Sequence, residues 1–250
     1  MIEWEEEKLE QEYNGWGPLT VEDEFEISDY LLVGYLGNTS EITVPSGVRC
    51  IGKAAFQGKR FIKNIRLPDT VEIIADWAFE NCNDLEQITI SDSVKQIGYE
   101  AFARCYLLKE IIIPSSVESI DHSAFSFCGE IEKLQFTALV QLGDSVFYES
   151  MINTDNLDDQ TALILYLCMS KGKIPDECRK IVEKNLEKEI NLAIGLLKQR
   201  SIEKAYTKLA KLIIENKDGI TEETIEKVCG FMKSTKEAKS AYRLLLKSIS

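Results

Sequence analysis

The sequence predicts a two-part molecule: a parallel-β solenoid of about five 23-residue coils, followed by an all-α domain of helical hairpins. Three observations carry this. Val48, Val71, Val94 and Val117 recur at intervals of 23, and behind them run columns of Ile51, Ile74, Ile97 and Ile120 and of Phe56, Phe79, Phe102 and Phe125, each Phe preceded by Ala. Each copy closes on an apolar triplet such as Leu108, Ile111 and Ile113, whose spacing ends in the two-residue alternation of a half-buried strand. After Ser150 the apolar period lengthens to three and four. A unit of this length cannot cover its own apolar face, so the copies must stack, and stacking places like strands side by side in a parallel sheet.

Taken in order, residues 1–24 form an acidic segment, with a weak helical pattern from 3 to 13 ended by Asn14-Gly15. Residues 25–150 form the solenoid. Its first stretch, Phe25-x-Ile27, Tyr30 to Val33 and Ile42-x-Val44, reads as strands joined by turns, an incomplete coil that covers the array's exposed first face. A shortened copy from Leu139 to Ser150 ends the array. Residues 151–250 read as six short helices. The apolar run Ala162 to Met169 is a buried helix sealing the last coil, and Pro175 suits a first helical turn. Ser201 and Thr221 are expected N-caps, and Ser234 with Glu237 spells a capping box.

The columns resemble the leucine-rich repeat, specifically its bacterial surface-antigen (BspA-like) class, whose unit reads roughly S-V-x-x-I-G-x-x-A-F-x-x-C-x-x-L-x-x-I-x-I-P. Ser116-Val117, Ile97-Gly98, Ala101-Phe102, Cys105, Leu108 and Ile111-x-Ile113-Pro114 supply those positions. Lys59 and Ser150 stand where the unit has Cys, and Ser91 where it has Pro. The resemblance implies an α/β leucine-rich-repeat solenoid that is curved and acts as a binding scaffold. It implies no catalytic residues.

The net charge is −13, concentrated at the amino end, where the first thirty residues hold eleven acids and one lysine. Such a balance argues against nucleic acid as a partner, because phosphate binding needs clustered Lys and Arg. Seven cysteines are an odd number, and three of them share one repeat column, which fits buried reduced thiols better than disulfides. The acidic Met1-Ile2-Glu3-Trp4-Glu5 start is unlike a signal peptide, and no apolar run reaches a membrane-spanning length, so a cytoplasmic protein without membrane insertion is expected.

Signals of catalysis are sparse. His122 is the single histidine, in a column whose other members are Lys53, Asp76, Tyr99 and Asp144, so it reads as a solvated loop residue. No metal-ligand, nucleotide or hydrolase motif is spelled, so no enzyme, cofactor or metal is expected. The better candidate is the row that alternates with the buried strand positions: Thr43, Asn64, Arg66, Gln87, Thr89, Glu110, Ile112, Lys133 and Gln135. Side chains alternate across a strand, so these face the open, concave side when the Ile columns face inward. The expected function is a non-enzymatic scaffold that binds a protein or peptide on that face or in the groove beside the helices. The alternative is a spacer, display or adhesin-like module in which the helical domain does the binding.

Overall fold

A computed structural model describes residues 20–22, 24–169 and 173–249. The sequence's helical pattern at 3–13 lies outside them. The 23-residue period becomes two parallel ladders. One is built from the long strands Glu41–Thr43, Asn64–Arg66, Gln87–Thr89, Glu110–Ile113 and Lys133–Phe136. The other, which the periodicity alone does not announce, is built from two-residue strands beginning with Cys50–Ile51 and Ile73–Ile74 and ending with Gln141–Leu142. In both ladders partners lie one repeat apart, Ile42 opposite Ile65 and Ile51 opposite Ile74. Core Ile thus stacks on core Ile from coil to coil, until the last, where Leu134 lies opposite Ile111 and Leu142 opposite Ile120.

Between the ladders the chain turns twice with residues in the left-handed region. Ala54, Trp77, Glu100 and Ser123 form one such column, and Gly58, Asn81, Arg104 and Phe127 the other. A non-glycine residue there costs roughly 1–2 kcal/mol. Coil-to-coil hydrogen bonds through the turns offset this cost. The Phe56 N–H donates to the Ala78 carbonyl at 2.8 Å, Phe79 to Ala101 at 2.7 Å and Phe102 to Ala124 at 2.7 Å.

The phenylalanine column is the spine. Phe56, Phe79, Phe102 and Phe125 stack with centroids 5.0, 5.1 and 5.0 Å apart, close to the strand spacing of the sheet. Phe25 and Tyr35 extend the file at one end and Phe147 at the other. The column cysteines are buried thiols that also donate: Cys82, Cys105 and Cys128 Sγ reach the carbonyls of Phe56, Phe79 and Phe102 at 3.2–3.3 Å. Ser150, one coil further, repeats the contact through its hydroxyl to Phe125 at 2.6 Å.

The first coil is covered by a hairpin of Phe25–Ser28 and Leu31–Tyr35, whose second strand pairs in parallel with Cys50–Ile51. Thr20–Glu22 adds an antiparallel strand to it. At the other end Met151–Ile152 still pairs with Glu130–Ile131, and six helices follow: α1 (Asp159–Cys168), α2 (Lys173–Lys184), α3 (Leu186–Gln199), α4 (Glu203–Glu215), α5 (Glu222–Ser234) and α6 (Lys239–Ile249). From Thr161 to its end α1 is buried, as expected of the helix that seals the last coil. Its Thr161 hydroxyl accepts from the Phe136 N–H at 3.0 Å and Gln160 donates to the Phe136 carbonyl at 3.1 Å, satisfying the strand that has no next coil to pair with.

Two expected caps are corrected. Ser201 does not cap α4, whose N-cap is Ile202; the Ser201 hydroxyl lies 3.2 Å from the Tyr206 hydroxyl instead. Ser234 is the last residue of α5 and donates to the Phe231 carbonyl, so it begins no capping box, and α6 starts at Lys239. In both places a nearby acceptor or hydroxyl outcompetes the helix terminus for the serine. Thr221 does cap α5, accepting from the Thr224 N–H at 3.4 Å.

Candidate functional site

Strand alternation sends Ile42, Ile65, Ile111, Ile113, Leu134 and Phe136 into the core, so their neighbours on the long strands must face outward. Each of the nine residues singled out in the sequence lies on this ladder, and none is buried. Register sorts them into two columns. Asn64 pairs with Gln87, and Glu110 with Lys133; Thr43 pairs with Arg66, Arg66 with Thr89, and Ile112 with Gln135. Glu41 belongs with them, because it pairs with Asn64 and its carboxylate accepts from the Asn64 amide at 2.7 Å. Counting 23 residues back from Asn64 identifies it, a step that the incomplete first coil obscured.

The two columns differ electrically. In the first, the charged groups are engaged within the face: the Glu41 carboxylate accepts from the Asn64 amide, and Lys133 forms an ion pair with Glu110. Beside it the Glu132 carboxylate bonds the Lys109 ammonium at 2.7 Å and holds it above the usual lysine range. In the second column Arg66 is exposed and, among the described residues, has no ion pair or side-chain hydrogen bond, with Thr43 and Thr89 on either side. Ile112, in the same row, leaves 39% of its surface open. The face therefore offers an exposed guanidinium and an exposed aliphatic side chain two turns apart, on either side of Thr89. The ladder is assigned as a three-strand and a two-strand block, meeting between Gln87–Thr89 and Glu110–Ile113.

His122 is exposed, its Nδ1 2.8 Å from Asp121 Oδ1 and its Nε2 3.7 Å from Asp144 Oδ2. Asp121 fixes that ring from the preceding position, and its same carboxylate oxygen accepts the His122 N–H at 2.6 Å, a local turn contact. A cleft of about 750 Å³ lies where α2 meets α3, lined by Glu183, Glu187, Glu215 and Asp218 among others. It adjoins none of the ladder residues. Among the described residues no group of His, Cys, Asp and Glu is arranged to hold a metal ion, and no helix is long and apolar enough to cross a membrane.

The chain is similar to a leucine-rich cell surface protein from Faecalibacterium prausnitzii, at 25% identity over 48% of this chain and 40% of that one, with a TM-score of 0.41. It is similar also to a leucine-rich repeat protein from Bacteroides ovatus, at 35% identity over 56% of this chain and 39% of the other, with a TM-score of 0.40. A leucine-rich repeat protein of T. pallidum aligns at 24% identity over 53% of this chain and 63% of its own, with a TM-score of 0.42. The chain thus spans about 40% of the length of the first two. A search of curated proteins finds no match. The model of the BspA type leucine rich repeat region matches residues 26–153 as six copies, which is more than half the chain, so this protein belongs to that family.

Proposed function

We propose that the protein is a non-enzymatic scaffold that binds a protein or peptide on the outer face of the long-strand ladder. The observation that carries this reading is the contrast between the two columns: one engages its charged groups within the face, while in the other Arg66 has no ion pair among the described residues and Ile112 is exposed. Charged groups left free in such a row give orientation, and an apolar neighbour gives affinity. A fitting partner presents a carboxylate to Arg66 and an aliphatic or aromatic side chain to Ile112. Five strands at about 4.8 Å give a face roughly 20 Å long, so adjoining surface must contribute to reach the ~800 Å² per partner of a standard interface.

The test is affinity capture with the wild type and with the combined variant Arg66→Ala, Glu110→Ala, Ile112→Ser, Lys133→Ala. These side chains point out of the core, so the variant keeps its unfolding midpoint and loses the captured partner, with Kd weakened by about tenfold or more. Unchanged affinity in the variant overturns the reading and moves the binding role to the helical domain. The seven free cysteines fit a reducing compartment, and a cytoplasmic placement goes with this reading. Labelling of the protein on intact cells by an impermeant amine reagent would contradict that placement.

A further inference from the structure

The turn segments at the end of the solenoid carry an apolar patch that the core does not use. Tyr106 is 50% exposed, Tyr148 53% and Met151 66%. Phe127 lies among them, its ring 5.5 Å from that of Tyr148 in an edge-to-face arrangement. Gly129 sits between Tyr106 and Met151: its carbonyl accepts from the Met151 N–H, and a Cβ placed on it would fall 2.0 Å from the Tyr106 carbonyl oxygen. The coils can approach here only because residue 129 has no side chain. The backbones are in direct contact at this point, and the large apolar side chains stand exposed around it.

The chemistry around the patch favours a cation. The Arg104 guanidinium already lies 5.3 Å over the Phe127 ring, held there by Glu80 at 2.8 Å, so one ring face is occupied by a positive charge from this chain. Tyr148 has no cation over its ring among the described residues. Glu130, in register with Met151, and Glu149, next to Tyr148, are exposed carboxylates with no ion pair among the described residues. Aromatic faces attract ammonium and guanidinium groups, and nearby free carboxylates strengthen that preference. Four large side chains about half covered amount to roughly 300–400 Å², the size of a patch that takes a short segment of chain.

We infer that this patch docks a basic peptide segment, with an apolar side chain laid against Tyr106 and Met151 and a Lys or Arg between Tyr148 and the Glu130 and Glu149 carboxylates. This surface is separate from the long-strand face and does not depend on it.

Fluorescence anisotropy of the full chain tests it, using a labelled short peptide of alternating arginine and leucine and its glutamate-for-arginine counterpart, at physiological salt. The arginine peptide binds saturably and the glutamate peptide does not. Tyr148→Ser with Met151→Ser weakens the arginine peptide by about tenfold or more, and Glu130→Lys with Glu149→Lys removes the preference for it. These are exposed positions, and circular dichroism confirms that both variants keep the fold. No saturable binding up to millimolar peptide, equal binding of the two peptides, or full retention in both variants overturns the inference. Loss of binding in the long-strand variant alone also overturns it, because the peptide would then occupy the other face.

Discussion

At the scale of single residues, the repeat column of cysteines joins two roles that sequence reading separates. Their burial and shared position were legible in the 23-residue spacing, and burial as reduced apolar filler follows from it. The donor role was not legible, since Sγ reaches a carbonyl 26 residues away and only the coil geometry brings the two together. Ser150 shows that a hydroxyl serves equally well. Cys105→Ala removes one of the two donors to the Phe79 carbonyl, which keeps the Cys82 N–H at 3.2 Å, at a cost of about 1 kcal/mol, whereas Cys105→Ser keeps a donor and loses less. Urea unfolding of the two variants checks the order; equal losses would show that filling space, not donating, is what the thiol contributes. Burial also pushes the Cys82 and Cys128 thiols up to about 12, so neither reacts with a thiol reagent near pH 8 in the folded protein.

At the scale of elements, the question is how a stack of open-ended coils is closed. In the first coils a hydroxyl ahead of the column valine donates to the valine carbonyl one coil back, Thr70 to Val48 at 2.7 Å and Ser93 to Val71 at 2.8 Å, whereas the Ser116 hydroxyl is buried with no partner among the described residues. At the last coil this position is Ala138, which has no donor. Arg200, between α3 and α4, takes over: its guanidinium donates to the Val117 carbonyl, to Leu139 at 2.6 Å and to Ser115 at 2.9 Å. One arginine thus replaces both the missing hydroxyl and the missing next coil. Arg200→Ala leaves buried carbonyls unpaired, at a cost of about 1–3 kcal/mol, and loosens the helical domain from the solenoid. Adding Ala138→Ser restores the Val117 contact and part of the loss, as read by thermal unfolding. Absence of any rescue would mean that Arg200 acts through something other than these carbonyls.

No motif marks Arg200, because the need it meets exists only where the repeat fails. The sealing role of Ala162 to Met169, by contrast, was legible in its all-round apolar character. The two serine caps were misread for a related reason: a cap pattern is local, and Tyr206 and the Phe231 carbonyl are supplied by the folded helices.

For the whole molecule, the seven-ring file makes the solenoid one cooperative unit. Phe102→Ala removes a ring that touches both neighbours at 5.0–5.1 Å. It costs about 3–5 kcal/mol and lowers the melting temperature of all coils together. A separate early transition for half the array would contradict this. The helical domain carries a different dependence. Glu189 is buried at the α1–α3 contact with both carboxylate oxygens lacking hydrogen bonds, and burial, reinforced by Asp159, raises its pKa against the pull of Lys188. A carboxyl raised in the folded state stabilises fully below its unfolded pKa of about 4.3, and that contribution is lost as pH rises through the folded value. Glu189→Gln therefore flattens the fall in stability from acid to neutral pH, and an unchanged slope would exonerate this residue.

The arginine clasp bears on how such chains change over generations. It reads only backbone oxygens of the final two turns, and the hairpin at the opposite end reads only the first. Duplicating or deleting a whole 23-residue module in the middle leaves both terminal fittings intact, so the gene can lengthen or shorten its binding ribbon in single steps while keeping the same two stoppers.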